Sequence, residues 1–153
     1  MDSFNINSVS EISLSYRSKV AAKDRPKITS SKDAYQLLHA TWDKERIELQ
    51  EQFVILLLSQ SNRVLGKVLL SSGTTSGTII DLKFIIVAAA KANAQGLILS
   101  HNHPSGNTNP SRADRDLTDK IKAACQIISV TLLDHVIVTP HDGYSSFADE
   151  GWI

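Results

Sequence analysis

Two histidines one residue apart, then a proline, a serine and an aspartate, form the pattern His101-x-His103-Pro104-x6-Ser111-x-x-Asp114. On extended chain, positions i and i+2 face the same way, with Cα atoms about 6.5–7 Å apart. Two imidazoles leaving one face at that spacing can converge on one ion. A carboxylate from the next helix adds a third ligand of the type zinc accepts, and three protein ligands leave a fourth position for water. That ligand count belongs to a catalytic zinc site, since structural sites are closed. Pro104 and Pro110 limit the freedom of the intervening loop, Ser105–Asn109, at both ends. With usage of roughly 2–7% per residue type, the five-residue pattern arises by chance on the order of once in 10⁵ chains of this length, so it carries weight.

Each piece also has a purely structural reading. Ser111-Arg112-Ala113-Asp114 is a helix capping box, with Ser111 as the cap and Asp114 three residues on. His101 and His103 alone could be turn residues bonded to backbone. The readings coexist if one carboxylate oxygen caps while the other ligates. Water activated at such a site needs a base, and Glu51, at the mouth of an apolar strand, is the best placed. Glu45, Glu48 and Glu51 also read as a solvated acidic face at helical spacing. Asp134 and His135 sit mid-strand and face opposite ways; one of them can serve as an outer partner of the site, against the simpler reading of a satisfied core histidine. Ser100 and Asn102 are expected to orient the loop, without a catalytic role. Cys125 reads as a buried helix residue, and His39 and His141 belong to no pattern.

The elements that position these residues read as a mixed α/β domain, a central sheet with helices against it. Ile12, Leu14 and Tyr16 alternate with polar residues, which suits an edge strand over 9–16. Residues 17–29 are basic, contain Pro26 and form a connection. A helix over about 32–42 is capped by Ser30 or Ser31 and turns Ala34, Leu37, Leu38 and Trp42 inward. Residues 52–59 are a continuous apolar run, as in a strand buried on both faces, and 65–72 return as its hairpin partner. Residues 73–77 are a loop. A helix near 81–94 is capped by Asp81; a buried strand at 96–100, a helix at 112–126 and a strand at 130–138 follow, with a last short strand near the end. The loop from His101 thus starts at the C-terminal end of a strand, where open α/β sheets gather their sites.

Composition narrows the class. The 153 residues are 42% apolar and 21% charged, enough for one domain with a core. Lys plus Arg and Asp plus Glu are 16 each, for a net charge of 0. Residues 1–50 carry 8 basic and 7 acidic side chains and the rest 8 and 9, so nothing resembles a basic nucleic-acid arm. One cysteine excludes a disulfide framework and any site built on two thiolates, including the P-C-x-x-C of zinc deaminases. No secretory leader or membrane-length apolar stretch is evident, so a soluble, cytoplasmic protein is expected.

The pattern His101-x-His103-Pro104-x6-Ser111-x-x-Asp114 resembles the metal signature of the JAMM (JAB/MPN) metalloproteases. LILSHNHPSGNTNPSRADRDLT (97–118), EQFVILLLSQSNRVLG (51–66), LLDHVIV (132–138) and YSSFADEG (144–151) resemble the RadC branch of that family. The resemblance covers residues 45–153, with 1–44 as an N-terminal extension of edge strand, linker and short helix. It implies a mixed sheet flanked by helices, similar to that of the cytidine deaminases, and a Zn²⁺ held by His101, His103 and Asp114. It also implies Ser111 as an oxyanion stabiliser, Glu51 as general acid/base, and a peptide or isopeptide bond in a peptide or protein as substrate. The alternative is a non-catalytic accessory module of DNA repair with a structural or vestigial metal site. The helix-hairpin-helix DNA-binding region of longer RadC-like proteins has no counterpart in residues 1–44, which lack its G-x-G hairpins. A metal-dependent nuclease ranks last, because the motif supplies too few acids for a two-metal cluster.

Overall fold

A computed structural model describes residues 8–73 and 80–153. Three helices, α1 (Ser31–Thr41), α2 (Leu82–Lys91) and α3 (Arg112–Ile127), flank a five-stranded sheet. Its strands are β1 (Gln52–Leu58), β2 (Val64–Ser72), β3 (Gly96–Asn102), β4 (Thr131–Val138) and β5 (Tyr144–Ser146). The strand order is β2-β1-β3-β4-β5. Only the β3–β4 pair is parallel, joined through α3; the other neighbours are antiparallel. The mixed α/β sheet flanked by helices is thus the one read from the sequence.

Both faces of the sheet are covered, which is why β1 is buried along its whole length. On one face Phe53, Ile55 and Leu57 meet Leu97 and Leu99, with Ile85 and Ala89 of α2 and Ile121 and Cys125 of α3 packed on them. On the other, Val54, Leu56 and Leu58 meet Ile98, Val136 and Val138 under Ala34 and Leu38 of α1, with Trp42 and Ile47. The side-chain period of two in a strand divides an unbroken apolar run between two cores.

Local signals fix the helix starts. Ser30 caps α1 with Asp33 in a reciprocal capping box, and Ser111 does the same for α3 with Asp114. Asp81 accepts from Lys83 N at the start of α2. That helix stops at Lys91, short of the 81–94 span expected, because Asn93 turns left-handed at φ 49°.

The N-terminal segment departs from its expected strand. Residues 9–16 pair with no strand among the described residues, and Ile12 and Leu14 are 85% and 92% exposed. Alternation marks a strand only where one face has something to pack against, and here Val9, Ile12 and Leu14 all stand largely in solvent. Tyr16 does touch the sheet, donating from its hydroxyl to Leu65 O at 3.0 Å. Of the loop expected at 73–77, residues 74–77 lie outside the described residues. Among the described residues no helix is long and apolar enough to cross a membrane.

Candidate metal centre

Strand β3 runs two residues further than its apolar core, so His101 and Asn102 belong to the strand and His103 opens the loop. Backbone bonding fixes that exit: His103 N donates to Val138 O at 2.9 Å, continuing the β3–β4 pairing. A turn closes with Gly106 N on His103 O, and Gly106 sits at φ 81°, where a Cβ would be strained. Ser145 of β5 donates to Thr108 O at 2.7 Å and ties down the far side of the loop. The chain then enters α3, whose first turn carries Asp114 back over the histidines.

The three expected ligands meet. His101 Nε2 lies 2.9 Å from His103 Nε2 and 3.4 Å from Asp114 Oδ1, and His103 Nε2 lies 4.0 Å from Asp114 Oδ2. Two ligands held at ~2.0–2.1 Å in a tetrahedron stand about 3.3 Å apart, so these separations bracket the need of one ion. Each residue can offer one ligand atom within 4.8 Å of the others.

The hydrogen bonds behind the ligands decide which atoms are free. His103 Nδ1 is 2.5 Å from Asn107 O. A carbonyl only accepts, so that nitrogen carries the proton and Nε2 keeps its lone pair. On the other side, Thr118 gives its single hydroxyl proton to Asp114 O at 2.6 Å. His135 Nδ1, 2.7 Å from Thr118 Oγ1, must then be the donor, and its Nε2 the acceptor, 2.8 Å from His101 Nδ1. His101 therefore donates from Nδ1 and also keeps a lone pair on Nε2. His135 is fully buried. Burial pushes its pKa well below the usual histidine value, which fits the neutral form this relay needs.

Two imidazole nitrogens thus face one point beside a carboxylate, an arrangement that a cation between them would satisfy. Asp114 Oδ2 is occupied by Ser111 N and Ser111 Oγ, both at 2.7 Å, which leaves Oδ1 open. Burial alone would raise the pKa of Asp114, but positive charge at His101 (a proton on its Nε2 when no ion is bound, the place a metal would take) and the donations from Ser111 hold it well below the usual carboxylate range. Two imidazole nitrogens and one ionised carboxylate oxygen fit a divalent metal such as zinc. The capping box therefore leaves one oxygen of Asp114 free to ligate, so the two readings are compatible.

Aromatic rings back the site. Phe53 lies parallel to His101 with centroids 6.0 Å apart, and Phe147 stacks on His135 at 4.6 Å. Trp152 meets Phe147 edge-on and carries the Arg115 guanidinium over its face at 4.1 Å. The C-terminal segment is thus part of the wall behind the ligands.

Other residues fall as follows. Ser111 lies against Asp114. Glu51 stands outside the three-ligand cluster, half-buried at the entrance to β1, and among the described residues its carboxylate makes no hydrogen bond or ion pair. The β1–β3 register pairs Phe53 with His101; continued two residues, it brings Glu51 level with His103. The acidic face read at helical spacing is a pair of turns over 43–50, in which Glu45 and Glu48 are exposed. Of the Asp134–His135 pair, His135 is the partner of the site. Asp134 bonds instead to Ser146 Oγ and Ala148 N. Thr118 carried no sequence signal beyond its place one turn after Asp114. Ser100 donates to Val136 O at 2.6 Å, and Cys125 is buried, with its thiol pushed up by that burial.

Comparison with known proteins agrees with this geometry. The family model of the RadC-like JAB domain matches residues 28–152. A UPF0758 protein of Flavobacterium johnsoniae is 46% identical over 125 residues, which is 82% of this chain and 53% of the relative. A UPF0758 protein of Aeromonas salmonicida is 42% identical over 122 residues, 79% of this chain and 54% of its own. One of Haemophilus ducreyi is 44% identical over 103 residues, covering 67% and 46%. The chain spans about half the length of these curated relatives. With the matched region running from before α1 to the aromatic wall behind the ligands, the chain belongs to the RadC-like JAB domain family.

Proposed function

We propose that this chain is a zinc-dependent hydrolase that cleaves a peptide or isopeptide bond in a peptide or protein substrate. The observation that carries the reading is the pair of imidazole lone pairs turned, with a free carboxylate oxygen, toward one point at the end of β3. His101, His103 and Asp114 would hold the ion, and three protein ligands leave room for solvent. When bound, zinc supplies a Lewis acid that makes water acidic near neutral pH and polarises a carbonyl.

The chain's own residues supply the proton transfers. Glu51 takes a proton from the attacking water and returns it to the amine nitrogen as the C–N bond breaks. Its uncommitted carboxylate supports that role, as does the β1–β3 register, which continued two residues past Phe53–His101 brings Glu51 level with His103. Ser111, beside the ligand Asp114, turns its hydroxyl to donate to the oxyanion of the substrate. The lone buried thiol agrees with work in the cytoplasm.

The test is the zinc-loaded chain incubated with a mixed-sequence peptide library beside its Glu51→Gln variant. The wild type is expected to release new amino termini at least about 100-fold faster than the variant. No release by the wild type, or equal rates, overturns the reading.

A further inference from the structure

The Asn102 side chain lies between the two candidate histidine ligands in sequence but on the opposite face of the sheet. It is fully buried. Its Nδ2 donates to Ile47 O at 2.7 Å and to Gln50 O at 3.0 Å, and its Oδ1 accepts from Gln52 N at 2.6 Å. One amide therefore grips the backbone on both sides of Glu51. A further backbone bond, Gly73 N to Glu51 O at 2.8 Å, holds Glu51 from the residue that follows β2.

This use of Asn102 is specific in its chemistry. Two outward carbonyls and one N–H must be satisfied by one compact side chain, and only a carboxamide offers two donors and an acceptor in that arrangement. The turns over 43–50 are otherwise held by their own short-range bonds and by the buried Ile47 side chain.

We infer that Asn102 is a positioning residue: it clasps residues 47–52 so that the Glu51 carboxylate emerges beside the point on which His101, His103 and Asp114 converge. Asn102 is bonded to both histidines in the chain, so base and histidines are referenced to the same three residues at the end of β3. The inference rests on the hydrolase reading, in which Glu51 is the base. A displacement of about 1 Å in such a group costs up to about 100-fold in rate.

The test is a double-mutant cycle on the full chain loaded with zinc, using Asn102→Ala, Glu51→Gln and the pair, with the mixed-sequence peptide library as substrate. Asn102→Ala is expected to retain one zinc per chain and to exchange the amide hydrogens of 43–52 faster than wild type. Its maximal rate is expected to fall about 10–100-fold with little change in KM. In the Glu51→Gln background the same substitution should change the rate less than about twofold. An equal loss in both backgrounds, or no loss in the wild-type background, overturns the inference. A wild type that releases no amines, or a Glu51→Gln variant as fast as wild type, overturns the hydrolase reading and this inference with it. Should Asn102→Ala not fold, Asn102→Asp keeps the acceptor for Gln52 N–H, loses the two donations and completes the same cycle.

Discussion

At the scale of residues, the site is a problem in assigning protons. His101 and His103 present lone pairs only because His135 and the Asn107 carbonyl each accept a ring N–H from behind. The His101–His135–Thr118 relay ends on the backbone carbonyl of Asp114, so it joins two ligands that come from a strand and a helix. His135→Gln is therefore expected to weaken zinc binding by about 10–100-fold while the fold survives, as measured by competition with a chromophoric chelator. Unchanged affinity would mean that His101 finds its tautomer without help.

At the scale of elements, two capping boxes set where helices begin, and one of them also aims a candidate ligand, Asp114. The box of α1 is the clean control, since it lies away from the metal ligands. Ser30→Ala is expected to cost about 1 kcal/mol in urea unfolding. Hydrogen bonds from Thr29, chiefly, and Ser30 hold the Asp33 carboxyl below its usual value. A lowered folded pKa adds stability above the unfolded value of about 3.9, and that stability is lost as pH falls through the folded value. The gap in urea midpoint between wild type and Asp33→Ala is thus expected to be full near neutral pH and to close in acid. A gap that widened on acidification would contradict the assignment.

At the scale of the whole molecule, α1 and α3 cover opposite faces of one sheet, and the site sits at the edge of the core that α3 covers. Metal that binds only the folded chain stabilises it by about 2.7 kcal/mol at a concentration 100 times Kd. For a domain of this size that raises Tm by roughly 5–10 °C. The rise is expected with zinc, is removed by chelator, and is absent in Asp114→Ala; a rise that survives that substitution would place the ion elsewhere.

What was legible in the sequence follows from range. The H-x-H face, the capping boxes and the hairpin are fixed by residues a few positions apart, and they read directly. The link from His135 to His101 spans 34 residues and exists only because β3 and β4 lie parallel. Periodicity showed that His135 and Asp134 face opposite ways, not which of them meets the site. The clasp by Asn102 on residue 47 spans 55 and left no local trace. The alternation at 9–16 misled for the same reason, because a strand pattern does not say whether an edge is waiting for it.

The most direct test of the account is the metal content of the purified chain after zinc loading and gel filtration, beside that of His103→Ala. One zinc per wild-type chain is expected, with X-ray absorption giving two imidazole nitrogens and carboxylate oxygen at ~2.0–2.2 Å, and a small fraction of that content in the variant. Full zinc content in His103→Ala, or none in the wild type, would contradict it.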